Sequence, residues 1–419
     1  MKNKKLLSPN ALKALVLTIA LIALFRFGTN LVISGASPSY TSMVNSSSLF
    51  QMLGLSNIGA GLHNYTYFAL GVAPFVSASI LVQILGLFNP VKRWRDQGDS
   101  GRDKQTRLTR ILAMVFGSYQ AFSAFTSAKF TLSISGASQF APNANWMTFV
   151  AMGIIIVSGT YALSYISDKI TQYGLGNGQS VIIATGILAN LSTLPKVLSN
   201  ASMNNLAIVL AGVVLTALLA ITFNHLTVKL PVVSSHPSAE KVYMPIKLNP
   251  VGMIPIIFAG MLQALPGFIN QLWNNKQLAK VVEFLDFNYW SGIASYAVLI
   301  VLFSVLYVTV QLNPKELSDR LSNASQSLEG VSIGSDTENF FKSVLQKLGL
   351  TSGFVLAILA IMPLVITKFL GISGVSIGLL GSSMIILVTT LSDVASRYMA
   401  LIAEEAGIKK VEEVVGGVL

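Results

Sequence analysis

The sequence predicts an all-α membrane protein of ten transmembrane helices, arranged as two five-helix halves. Three observations predict it. Over 419 residues, 53% are hydrophobic and only 11% charged, with a mean hydropathy of +0.65. Soluble domains carry nearer 25% charge, so the solvent for most of this chain is lipid. Apolar runs recur near 14–34, 66–88, 111–128, 147–166, 179–194, 206–226, 252–272, 291–312, 351–370 and 375–400. Most approach the ~20 residues that cross a ~30 Å hydrocarbon core, and the fifth is short. Finally, Lys and Arg fall on alternate loops: 22 on one side, 5 on the other, with Arg26 inside the first run. The richer side is expected to be cytoplasmic, and with ten spans both termini share it.

The start of the chain, Met1 to Gly35, has the basic-then-apolar order of a signal peptide. Its apolar run is longer than a typical signal core and nine more follow, so it is read as the first span. Pro74, Pro255 and Pro363 sit inside runs, where neighbouring helices can satisfy the freed backbone groups. A split near 195–205 leaves five spans on either side, giving an N-terminal half of 1–195 and a C-terminal half of 196–419. That division permits an inverted repeat.

Composition excludes much chemistry. Cysteine is absent, so no thiolate nucleophile or Cys metal site exists. Three scattered His offer no metal-ligand spacing, and no nucleotide-binding or catalytic motif is found, so neither enzyme nor cofactor is expected. The net charge of +11 is accounted for by topology and calls for no nucleic acid. Ion-coupled carriers keep ionisable groups at mid-membrane. Here Arg26 is the one clear intramembrane charge, read as a structural residue snorkelling or bound to carbonyls near the outer end of the first span. A conduit for chemically diverse cargo, or a structural bundle, fits that emptiness better than a small-molecule secondary transporter.

Several stretches, in order over nearly the whole chain, are similar to the SecY family of protein-translocase channel subunits. The second span reads Phe68-Ala-Leu-Gly-Val-Ala-Pro-Phe-Val-Ser-Ala-Ser-Ile80, followed by Gly98-Asp-Ser-Gly-Arg102 and by Thr109-Arg110. The fifth span opens Tyr173-Gly-Leu-Gly-Asn-Gly178. The seventh reads Asn249-Pro-Val-Gly-Met-Ile-Pro-Ile-Ile-Phe-Ala259, and Asn313-Pro314 follows the eighth. Each alone is an ordinary turn or kink; their order and the matching topology make the resemblance specific.

The resemblance implies a central hourglass pore between pseudo-symmetric halves, a plug on the outer side and a lateral gate toward lipid. It implies a constriction ring of Val76, Ile80, Ile183, Ile187, Ile257 and Ile386. An aliphatic collar of that kind seals by dewetting and makes no specific bond to a passing chain. The plug is expected at about 48–62, with Leu49, Phe50, Leu53, Leu55 and Ile58 punctuated by glycines, too short to span and too apolar for a free loop. Implied partners are a SecA-type motor ATPase, a SecE-like small membrane subunit, possible SecG-like or accessory Sec proteins, membrane lipid, and unfolded preprotein as cargo. Motor docking is expected on the cytoplasmic loops 89–110, 227–250 and 313–350, at Arg102, Lys104, Lys241, Lys315, Arg320 and Ser332.

Two departures stand out. The 227–250 loop, strongly basic in housekeeping members, holds only Lys229, Lys241 and Lys247. Gly330-Val-Ser-Ile-Gly334 aligns with a family segment whose Arg supports motor coupling, putting Ser332 at that position. These features resemble the accessory SecY proteins of some Gram-positive bacteria, which work with an accessory SecA and export serine-rich glycoprotein adhesins. A housekeeping translocon in a divergent organism is the nearest alternative.

Overall fold

The computed structural model describes residues 9–31, 33, 66–86, 94, 99–135, 146–191, 203–234, 242–273, 275–324, 326–332, 334–370 and 380–416. Twelve helices and three strands run in the order α1 Pro9–Asn30, α2 Ala73–Leu85, α3 Asp99–Ser135, α4 Trp146–Tyr173, α5 Gly178–Leu191, α6 Met203–His225, β1 Thr227–Ser234, β2 Val242–Lys247, α7 Ile254–Trp273, α8 Lys276–Leu285, α9 Trp290–Gln311, α10 Pro314–Asn323, β3 Gln326–Leu328, α11 Ser335–Phe369 and α12 Leu380–Gly416. Each of the ten apolar runs coincides with a helix: α1 to α7, α9, α11 and α12. Within α1, α4, α6, α9, α11 and α12 lie segments long and apolar enough to cross a bilayer, and α5 and α7 contain shorter apolar segments. The chain divides into two compact units, 1–195 with 390–419, and 196–389.

In the first unit, glycines let backbones meet. The Phe68 ring lies where a Cβ on Gly28 of α1 would be, and the Tyr67 carbonyl lies where one on Gly159 of α4 would be. The 66–72 segment is thereby clamped between two spans, and Tyr67 N–H bonds the Leu31 carbonyl at 2.9 Å. Arg110 of α3 pairs with Asp168 of α4 at 2.6 Å.

In the second unit, α9 and α11 cross closely because Gly349 and Gly353 bring α11 against the backbone of Val305 and Val301. Small residues at a lipid-embedded crossing allow such approach, and a hydroxyl can bridge it. Ser304 Oγ does so, donating to the Gly349 carbonyl at 2.8 Å and sharing a hydrogen bond with Ser352. Edge-on contacts of Phe258 with Phe303 and Tyr307, both with centroids 5.7 Å apart, join α7 to α9.

The described residues of the expected 227–250 and 313–350 loops form regular structure. β1 is the centre of a sheet ordered β2-β1-β3, antiparallel throughout, with Leu230 opposite Met244 and Val232 opposite Val242 and Leu328. α11 begins at Ser335, well ahead of the apolar run at 351. Leu230, Val232 and Ile246 of the sheet, Leu321 of α10, Leu328, and Phe341 and Leu348 of α11 form one buried core. Sequence alternation explains the sheet: Leu230 and Val232 point inward, while Lys229, Pro231 and Val233 are exposed.

Candidate functional site: the motif turns and the sheet body

The Gly174-Leu-Gly-Asn-Gly178 motif is a turn built to start α5. Thr18 of α1 donates from Oγ1 to the Ala14 carbonyl and accepts from the Leu175 N–H at 3.0 Å. Gly176 has φ +82°, which glycine adopts without strain. Asn177 caps the helix, its Oδ1 accepting from the N–H groups of Gln179 and Ser180. Gly178 N–H bonds Thr171 Oγ1 at 2.8 Å, and a Cβ there would lie 1.9 Å from the Ser167 carbonyl oxygen.

The helix so launched carries Ile183 and Ile187, both buried, and between them Thr185. Arg26 reaches from α1 and donates from Nη2 to the Thr185 carbonyl at 2.8 Å. The Arg26 guanidinium is thus carbonyl-bound. Val76 on α2 is also buried; Ile80 belongs to α2, but its side chain lies outside the described residues.

The seventh-span motif is a second such turn. Asn249, buried, donates from Nδ2 to the Gly252 carbonyl at 3.3 Å and to Asn224 Oδ1 of α6 at 3.4 Å. Gly252 has φ +63°. The chain then enters α7, where Ile257 is buried. Ile386 on α12 is fully buried. Within the first unit lie Val76, Ile183 and Ile187; within the second lie Ile257 and Ile386.

The expected plug, with Leu49, Phe50, Leu53, Leu55 and Ile58, lies outside the described residues, as does Lys241. Of the other docking positions, Lys104 is exposed on α3 and the Arg102 side chain lies outside the description. Asn313 caps α10 by accepting from Lys315 N–H, with Pro314 at the first helical position. Lys315 is exposed, and Arg320 pairs with Glu316 one turn back at 2.7 Å. Ser332 is exposed between Gly330, φ +78°, and Gly334, φ +108°; its carbonyl accepts from Thr337 Oγ1 at 2.8 Å.

Sequence reasoning missed that 227–250 and 313–350 build one body. The same body presents Lys229, Pro231 and Val233 on β1, and Tyr243, Pro245 and Lys247 on β2, all exposed on the face opposite the core. Among the described residues no cluster of His, Asp and Glu could hold a metal ion, and polar side chains fasten the backbone turns.

The comparisons with known proteins agree with that picture. The sequence pattern of the family described as SecY matches residues 66–395. The protein translocase subunit SecY of Streptococcus gordonii is 29% identical over 408 residues, 90% of each chain. A solved structure of a protein conducting channel superimposes with a TM-score of 0.69 at 17% identity, covering 97% of this chain and 94% of that one. A structure of a SecY protein, whose plug domain is described as stabilizing the closed channel and maintaining a membrane seal, gives 0.65 at 14% identity over 96% and 94%. The fold is therefore that of the SecY channel, ten helices in two halves, in a multi-span protein of the cytoplasmic membrane. The chain belongs to the SecY family of protein translocase subunits.

Proposed function

We propose that this chain is the pore-forming subunit of an accessory protein-export channel, passing unfolded preproteins with work supplied by a dedicated motor ATPase. The observation that carries the accessory reading is Ser332, exposed between two glycines of positive φ. An Arg there would offer a planar fork of donors to a motor; Ser offers one short hydroxyl. The thinning of basic charge on 227–250 supports the same reading, because exposed cations on a docking face contribute on-rate and partner choice.

In this reading Val76, Ile80, Ile183, Ile187, Ile257 and Ile386 form the resting seal, and 48–62 is the plug. Arg102, Lys104, Lys241, Lys315 and Arg320 contribute to the motor-docking face, with Lys229 and Lys247. A SecE-like subunit holds the halves, and both termini are cytoplasmic. The cargo class is the serine-rich glycoprotein adhesin. A housekeeping role is the second reading, favoured by relatives that are themselves protein translocase subunits SecY.

The test measures binding and channel-stimulated ATPase of a housekeeping SecA with purified components. Wild type is compared with a chimera carrying Ser332→Arg and a basic 227–250 hairpin. The proposal expects weak stimulation by wild type and a gain in the chimera. If wild type already stimulates the housekeeping motor as well as a housekeeping SecY does, the accessory assignment falls and the general translocon reading replaces it.

A further inference from the structure

We propose that α8 is a membrane-surface helix whose Val281–Phe284 edge inserts among phospholipid headgroups at the non-cytoplasmic face, fastening the second half of α7, the start of α9 and the end of α11 to the bilayer surface. The helix is 10 residues long, Lys276–Leu285, and has no fully buried residue. Leu278, Val282 and Leu285, at helical spacing, are half-buried on one face, while Lys276, Lys280 and Glu283 are exposed on the other. Between those faces Val281 and Phe284 remain 44% and 60% exposed. A short helix with one charged face and exposed large apolar groups on its flank is suited to the water–lipid boundary.

Its position along the chain keeps it there. α7 ends at Trp273 and α9 begins at Trp290, so α8 is tied at both ends to membrane spans by only a few residues. The tie at the second end is rigid. Gln263 of α7, buried, donates from Nε2 to the Leu285 carbonyl at 2.6 Å and to the Gly292 carbonyl at 2.8 Å. One side chain thus holds the last turn of α8 and the first turn of α9 to the seventh span. Asp286 closes the corner, accepting from Asn288 N–H at 2.9 Å.

An independent cluster marks the same level. Trp290, 51% exposed, and Phe369, 78% exposed, pack with centroids 5.6 Å apart at the start of α9 and the end of α11. Lys368 Nζ lies 5.0 Å over the Trp290 ring and bonds the Asn288 carbonyl. Interfacial aromatic rings with adjacent cations sit at headgroup depth, where phosphate complements the ammonium. Lys276 and Lys280 on α8, and Lys368 at the Trp290 cluster, supply that charge. The placement rests on α7, α9 and α11 being membrane helices, not on the channel reading; only the choice of face rests on the proposed orientation.

The absence of cysteine makes the test direct, since one introduced Cys is the only label site. Spin labels at Val281→Cys and Phe284→Cys, and on the polar face at Lys276→Cys and Glu283→Cys, are compared in the full chain in vesicles of phosphatidylethanolamine and phosphatidylglycerol. Collision with oxygen, which partitions into lipid, is measured against collision with a water-soluble nickel chelate. The proposal expects a reversed ratio: oxygen favoured at 281 and 284, nickel at 276 and 283. Unperturbed melting of all four variants keeps the comparison valid, and transport is not involved. Equal nickel accessibility at all four sites overturns the proposal. Shielding of 281 and 284 from both reagents also overturns it, because a protein partner would then cover the edge.

Discussion

Arg26 of α1 donates a 2.8 Å hydrogen bond to the carbonyl of Thr185, between Ile183 and Ile187 on α5. A carbonyl already within a helix gains a charged donor, and the guanidinium gains an acceptor where water is scarce. A hydrogen bond to a charged group contributes about 1.5–3 kcal/mol. Arg26→Met removes the fastening while retaining the apolar stem. We expect lower thermal stability in detergent and greater resting ion leak in vesicles, with Arg26→Lys intermediate on both. Unchanged melting and leak in Arg26→Met would show that Arg26 holds nothing of consequence.

Glycine requirements differ sharply by position. A Cβ on Gly178 would stand 1.9 Å from the Ser167 carbonyl oxygen, a backbone atom that cannot turn aside. A Cβ on Gly267, inside α7, would meet nothing within 4 Å. Gly178→Ala is expected to abolish accumulation of folded protein. Gly267→Ala is expected to be neutral or stabilising by up to about 1 kcal/mol, through helix propensity and a less free unfolded chain. Melting curves in detergent check both; equal behaviour would contradict the turn geometry.

The cytoplasmic body depends on Phe341, fully buried at the centre of its core. Phe→Ala in such a site costs about 3–5 kcal/mol. Phe341→Ala is expected to loosen the sheet while leaving the spans folded, because the core joins β1, β2, β3 and α10 to α11 only. Limited proteolysis should become faster within 227–250 and lose motor stimulation together. Protection equal to wild type would mean that the sheet does not rely on that core.

Topology is tested with reporter fusions at Leu419 and in the 136–145 segment. The 22-to-5 partition of Lys and Arg predicts opposite sides, the C-terminus being cytoplasmic. Reporters on the same side would overturn the ten-span orientation.

What could be read from the sequence followed from how strong each local signal is. The run at 291–312 became α9, 290–311, because a lipid-facing helix must be apolar throughout and hydropathy registers that. The same logic placed the eleventh helix late. Hydropathy sees only its membrane part from 351, whereas Ser335 to Leu350 is amphipathic, burying Phe341 and Leu348 against the sheet and Leu345 with Val308 of α9. The strands lie in segments read only as cytoplasmic loops, and Pro231 and Pro245 weaken the strand signal there. Both prolines turn out to be tolerated: Pro245 lies on an edge strand, and Pro231 lies just before the 232–234 stretch that pairs with β3. The alternation Leu230, Val232 beside exposed Lys229 and Val233 was the available signal. α8 was passed over as part of an external segment, though its apolar residues already recur at helical spacing. Gly178 was recognisable by resemblance; why it is a glycine needed the Ser167 carbonyl, which the turn folds back against it.

The central claim, that unfolded preprotein passes the aliphatic collar, is tested most directly by crosslinking. In a chain without native cysteine, Ile187→Cys, Ile257→Cys and Ile386→Cys each introduce a single thiol at a proposed ring position. Ile358→Cys, on the exposed side of α11, serves as the control. A preprotein carrying one cysteine is stalled during motor-driven export into vesicles, and disulfide formation is then induced. The account predicts adducts at 187, 257 and 386 that depend on motor and ATP, and none at 358. Absence of adducts at all three ring positions with stalled preprotein present, or adducts at 358 as strong as those at the ring, would contradict it.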